Sequence, residues 1–203
     1  MEPLKIVPQA FYDLIARVVP GAFAIFSYFN LFDPGWTLWR QLIDGVLGRA
    51  EDGRGYPTIF VALAFLFLSY VVGHLISPLV KRAQDLGHRL HGLFARLHLV
   101  DRLATPTSQA ADYDLLRLVS PEAGAVCGKL RAEYTMYYGL AVVFLASALA
   151  YPFSGMAVMW PWWPVAPLLV ASFLMESRGV EGEGAFGRCV ERYAAHWREH
   201  AKI

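Results

Sequence analysis

The chain is short of charge, and it is short of it in long blocks. Between Thr58 and Val80 the sequence TIFVALAFLFLSYVVGHLISPLV holds no Asp, Glu, Lys or Arg. Over all 203 residues, 17% are charged and 56% hydrophobic, whereas a soluble domain usually has about 25% and about 45–50%. That deficit excludes an ordinary water-facing surface over much of the chain. Cysteine is scarce too. Cys127 and Cys189 are the two present, in neither CxxC nor CxxH spacing, so neither a disulfide framework nor a zinc ribbon is expected. Walker loops, GxSxG, HExxH and the dinucleotide glycine fingerprint are missing. Gly179, Gly182, Gly184 and Gly187 follow no strand. The net charge of +1 gives no electrostatic basis for a nucleic-acid partner. The N-terminus carries Glu2, Pro8 and Asp13 and no A-x-A site, so no cleaved signal peptide is expected.

What is present is a set of hydrophobic runs. About 20 helical residues cross the roughly 30 Å hydrocarbon slab, so Thr58–Val80, stopped by Lys81 and Arg82, reads as a transmembrane helix. Leu14–Phe32 reads as a first span, interrupted by Pro20–Gly21 and carrying Arg17 near its start. Arg17 is placed to snorkel, with Asp13 four residues earlier as a possible partner. Asp33-Pro34-Gly35 signals a turn. Beyond it Trp36, Trp39, Ile43 and Val46 form one stripe at helical spacing. The stretch 36–47 is therefore expected as a helix lying in the interface plane or packed on the spans.

Residues 81–133 are the largest polar stretch. Leu86, Leu90, Leu93 and Leu97 repeat at a/d-type spacing, predicting that the second helix continues out of the bilayer with a seam for helix packing or oligomerisation. Thr105-Pro106-Thr107-Ser108 should break it. A short helix is expected over Asp112–Val119. Ser120-Pro121-Glu122 then opens a new one with Ser at the cap, Pro in the first position and an acid in the first turn. That helix has no strong stop before Pro152, so it is predicted to become a third span over 134–151. Tyr134 and Tyr137 would be its interface anchors, and Ala146 and Ala150 a small-xxx-small packing pair.

A fourth span is expected at Met156–Met175. Trp160, Trp162 and Trp163 would form its aromatic belt, and Pro161, Pro164 and Pro167 interrupt it. Glu176–Gly184 reads as a flexible acidic hinge, followed by an amphipathic helix with a stripe at Phe186, Val190, Tyr193 and Trp197. With four spans, one side of the membrane receives Lys5, Arg17, the eight basic residues from Lys81 to Arg131 and the five from Arg178 to Lys202, fifteen of eighteen. By the positive-inside rule both termini are expected in the cytosol, with the cysteines as free thiols in a reducing compartment.

The chemical candidates are few. His74 and Ser77 in the second span and Ser147 in the third are the intramembrane polar groups, with His74 the candidate for proton titration or pore lining. His88, His91 and His98 share one helix and His196 and His200 another, but no committed third ligand completes a metal set, so no metal and no cofactor is expected. Arg192 stands at x3 and x7 from His196 and His200, which does not match the R-x(4–6)-H of helical ribonucleases. The expected architecture is all-α: an integral membrane protein with four transmembrane helices and a helical cytosolic region. Its parts are residues 14–80, 81–133, 134–175 and 176–203.

No motif identifies a family. In architecture the chain is similar to compact four-span bacterial effectors of antiviral systems, which oligomerise and permeabilise the inner membrane. That likeness implies a self-associating inner-membrane protein whose partners are the lipid bilayer and further copies of itself. The alternatives are an accessory subunit of a larger membrane complex, or an embedded enzyme or carrier using His74 and Glu133.

Overall fold

The computed structural model describes residues 7–33, 37–47, 58–96, 109–154 and 163–200. Every regular element among them is helical: α1 (Val7–Phe32), α2 (Thr37–Leu47), α3 (Thr58–Arg96), α4 (Gln109–Val119), α5 (Pro121–Ala150), a single 3-10 turn (Tyr151–Phe153) and α6 (Val165–His200). Three are long and apolar enough to cross a membrane, over Phe11–Phe32, Ile59–Asp85 and Pro121–Phe153. This points to a membrane protein. The expected fourth span begins in residues outside the described set, and its described part, from residue 165 on, opens α6.

The local chemistry explains the element boundaries. Asp33 closes α1 through its amide, which donates to the Phe29 carbonyl at 3.0 Å. Its carboxylate then starts α2, accepting from the Thr37 hydroxyl at 2.7 Å and from the Leu38 amide at 2.8 Å, the latter a backbone donor that an opening helix turn leaves free. The Ser120 amide ends α4 on the Leu116 carbonyl at 2.8 Å, and its own carbonyl accepts from Gly124 at 2.9 Å to start α5. Pro121 sits in the first turn, where the missing N–H costs nothing.

The continuation of the second span into the leucine-bearing stretch is observed. α3 runs 39 residues through Pro78, roughly 58 Å at helical rise, about twice the slab. α5 likewise runs unbroken to Ala150. The region 176–184 departs from expectation. The hinge read there is helix, because α6 passes straight through it. Its glycines serve close packing. A Cβ on Gly179 would lie 3.0 Å from the Tyr138 ring, and one on Gly182 would lie 3.0 Å from Tyr134 Cβ.

The chain divides into two compact units, and α1, α3, α5 and α6 contribute to both. One comprises Met1–Ala16, Val80–Tyr138 and Met175–Ile203, the other Arg17–Leu79 and Gly139–Leu174. The first, the polar unit, has a core of Tyr113 and Leu116 from α4, Ala123 and Cys127 from α5, and Phe186 and Val190 from α6. Tyr113 meets Phe186 edge-on at 5.2 Å, and the guanidiniums of Arg117 and Arg131 lie over the Tyr113 ring at 5.7 and 5.3 Å. Cys127 and Cys189 form a disulfide between α5 and α6, with Cα atoms 5.9 Å apart. This corrects the expectation of free thiols: residues 62 apart in sequence face each other because both lie on the packed stripes of their helices.

The second, apolar unit is held by close backbone approach. A Cβ on Gly21 of α1 would overlap the Ser69 carbonyl of α3, and one on Gly73 would overlap the Arg17 carbonyl. The pairing of 21 with 69 and of 17 with 73 makes α1 and α3 antiparallel. α6 joins α5 through the Ser172 hydroxyl, which donates to the Ala141 carbonyl at 2.9 Å.

Candidate functional site

Polar side chains gather at two places, one in each unit. In the apolar unit, Arg17 Nη1 donates to the Tyr70 hydroxyl at 3.3 Å, with the guanidinium 6.0 Å from the Tyr70 ring centre. One turn further along α3, the His74 ring stacks on Tyr70 at 6.3 Å and 23°. His74 is exposed, and Arg17 and Tyr70 are half-buried. Gly73 is what brings the Arg17 backbone against α3. Among the described residues Arg17 has no carboxylate partner, so Tyr70 takes the place foreseen for Asp13.

In the polar unit, Glu183 of α6 gathers donors from two other helices. His88 Nε2 lies 2.8 Å from Glu183 Oε2, and the Tyr138 hydroxyl donates to the same oxygen at 3.3 Å. The Gln84 side chain also bonds Glu183. The Glu183 carboxylate lifts the His88 imidazole above its ordinary range, against the opposing effect of partial burial. Burial works to raise Glu183, but the bonds from His88, Gln84 and Tyr138 outweigh it and hold the carboxyl below its usual range. Two turns earlier on α6, Glu176 Oε1 is buried without a hydrogen-bond partner, and burial pushes that carboxyl up. Among the described residues no three His, Cys, Asp or Glu side chains converge as a metal set.

The intramembrane hydroxyls are committed to their own helices. Ser77 donates to the Gly73 carbonyl at 3.2 Å, Ser147 to Val143 at 2.8 Å and Ser69 to Phe65 at 2.7 Å. Ser147 also borders a groove of about 190 Å³ in the apolar unit, together with Ala24, Leu31, Ile76, Ala146 and Ala150. Ala146 and Ala150 thus flank an open groove. In the apolar unit the buried alanines of α5 are Ala141 and Ala148.

The expected interface aromatics are placed variously. Trp39 meets Phe29 and Phe65 edge-on at 6.1 and 5.6 Å, so α2 packs on the spans through it. Tyr134 packs against Phe186 and Tyr138 inside the polar unit at 5.7 and 6.4 Å. Tyr137 is half-buried and Trp163 exposed. Trp36, Trp160, Trp162 and Leu97 lie outside the described residues, as do the side chains of Leu86, Leu90, Leu93, His91 and His200.

Three features went unforeseen. Glu183 was read as part of a hinge, yet the α6 stripe extends back from Phe186 through Glu183, Gly179 and Ser172 at steps of three, four and seven. Ser69-x3-Gly73-x3-Ser77 is a small-residue repeat that signals close helix approach, and it lay in plain view. The cysteine pairing had no local signal at all. No family model, curated protein or solved structure matches the chain.

Proposed function

We propose that the chain is a four-span protein of the bacterial cytoplasmic membrane that assembles with copies of itself through its apolar unit. In this reading both termini lie in the cytosol and the polar unit is the control surface. The observation that carries it is the bareness of α3. Only 11% of its most apolar window is buried, and Ile59, Leu63, Phe67 and Leu75 stand exposed on several of its faces. One stripe of this helix, Ser69 and Gly73, is taken up by α1. A helix apolar all round needs either lipid or protein on every face, and beyond that span the sequence repeats leucine at 86, 90, 93 and 97 at a/d-type spacing. A membrane-perturbing effector of the antiviral type is the activity that such assembly would serve.

Crosslinking in native membranes, followed by mass measurement in detergent, tests the assembly. Oligomers that weaken in Leu63→Ala/Phe67→Ala support it, and a chain that stays monomeric at every concentration overturns it. Release of a trapped dye from vesicles then tests the effector step, which fails if oligomers form without leakage.

A second reading is favoured by the Cys127–Cys189 disulfide. Stable disulfides belong to oxidising compartments, which would put the polar unit outside the cytosol, against the count of basic residues. Fusing green fluorescent protein and alkaline phosphatase in turn to the C-terminus separates the two: fluorescence supports the cytosolic reading, phosphatase activity the other.

A further inference from the structure

Arg17 is a cation in the wrong place. It lies six residues inside the Phe11–Phe32 span, roughly 9 Å along the helix, and its polar contact among the described residues is the neutral Tyr70 hydroxyl. Among the described residues no carboxylate pairs with it. Residues 139–174 contain no Asp or Glu, and the Asp33 carboxylate is occupied at the start of α2. A charged side chain at that depth is costly unless it reaches water, a partner or a headgroup. Because α1 and α3 are antiparallel and Gly73 lies against the Arg17 backbone, His74 lies close to the depth of Arg17. The three side chains therefore stand at one level, set by Arg17 about 9 Å inside the Phe11–Phe32 span.

Their donors are complementary to a single ligand. Arginine presents a planar fork of N–H groups that matches phosphate. The Tyr70 hydroxyl accepts from Arg17, which leaves its own hydrogen free to donate. His74, exposed and stacked on Tyr70, carries a ring N–H that can donate outward. From this uncompensated charge and these three donors, we propose that Arg17, Tyr70 and His74 bind the phosphate of an anionic phospholipid headgroup. The site rests on the apolar unit being in the membrane and does not depend on self-association. Lipid anchored here would clamp α1 to α3 beside the Gly21–Gly73 contact, on the helix whose bare faces carry the proposed assembly.

The experiment is native mass spectrometry of the purified full chain titrated with short-chain phosphatidylglycerol, with phosphatidylcholine and inorganic phosphate as separate arms. Wild type should hold one phosphatidylglycerol about tenfold more tightly than Arg17→Gln, with His74→Ala and Tyr70→Phe in between and Arg17→Lys retaining part of the affinity. Equal retention by wild type and Arg17→Gln overturns the proposal. So does displacement of the lipid by inorganic phosphate at the same concentration, which would make the ligand a free anion. An intact Cys127–Cys189 bond, read from the same mass spectra, certifies the fold of each variant. Resistance of the chain to carbonate extraction tests membrane residence separately, so failure of that premise is distinguishable from failure of the site.

Discussion

The two units are built from the same long helices and packed by opposite rules. In the polar unit, bulky side chains fill the centre. Tyr113, Leu116, Phe186 and Val190 are buried, a disulfide ties α5 to α6, and an ion pair ties α3 to α6. In the apolar unit Ile25, Phe29, Leu140, Val143 and Tyr151 are buried as well, but the crossing of α1 and α3 is made of small residues. There Gly21, Ser69 and Gly73 let backbones touch, while Phe23, Phe26, Leu63, Phe67 and Phe173 stand exposed. Water rewards burying large apolar groups. Lipid does not, since its tails are as apolar as leucine, so close van der Waals contact and helix-to-helix hydrogen bonds are left to hold helices together. The backbone contact of α1 with α3 is packing of the kind that suits a lipid solvent.

The largest effect that would sharpen this contrast lies in the polar unit. Opening the Cys127–Cys189 bond, by reduction or by Cys127→Ala/Cys189→Ala, should cost up to about 4 kcal/mol for a closed loop of this length. Thermal unfolding in detergent, followed by far-UV circular dichroism, measures it. If the apolar unit is held independently, its small-residue contacts should survive reduction, seen as a second transition that does not move. A single transition shifting as a whole would mean that the two packings are one cooperative structure.

Next comes the apolar unit. Gly21→Leu or Gly73→Leu drives a side chain into the backbone of the facing helix, so a loss of about 3 kcal/mol is expected, with α1 and α3 forced apart. Gly179→Leu in the polar unit meets the face of the Tyr138 ring instead, at 3.0 Å, which can shift. Its cost should be smaller, about 1–2 kcal/mol. Comparing the two by the same melt asks whether backbone contact is stiffer than ring contact. If Gly21→Leu proves as mild as Gly179→Leu, the small-residue account of the apolar unit fails.

These particulars show what could be read in advance. Helix existence was legible because it depends on short-range signals: the uncharged run after Thr58, the Ser120-Pro121 start, the unbroken stretch to Ala150. The hinge at 176–184 misled because glycine carries two meanings. Glycine favours flexible loops, and it also allows close packing. Which one holds depends on what faces it, here the Tyr138 ring for Gly179 and the Tyr134 Cβ for Gly182, each more than 40 residues away in sequence. The disulfide and the Glu183 cluster were hidden for the same reason, each joining residues far apart whose helix register is set by packing. Arg17 was noticed as a misplaced charge, but its partner could be found only once Gly21 and Gly73 had set the crossing.

A smaller effect distinguishes a hydrogen bond between helices from one within a helix. Ser172 donates across to Ala141, whereas Ser147 donates back to its own helix at Val143. Ser172→Ala should cost about 0.6–1 kcal/mol and loosen α6 from α5, while Ser147→Ala should be nearly neutral. Equal effects would remove the distinction.

The smallest effect concerns the His88–Glu183 pair, whose His88 side chain is 43% exposed, so solvent screens it and about 0.5 kcal/mol is expected. Its pH dependence is more telling than its size. His88 titrates above its ordinary value in the folded chain, so its contribution is complete below the unfolded pKa and fades as pH rises through the folded one. Glu183 titrates below its ordinary value, so its contribution is complete above the unfolded pKa and fades as pH falls through the folded one. The pair is therefore worth most in mildly acidic solution, between those limits. The groups that face it are Asp85 on α3, Gln84 on the same helix, Tyr138 on α5 and Glu176 on α6. Melting wild type and His88→Gln from pH 5 to 9 should show the gap between them closing on the alkaline side. A gap that stays constant across that range would mean that His88 acts by packing alone, and that α3 is held to the polar unit without charge.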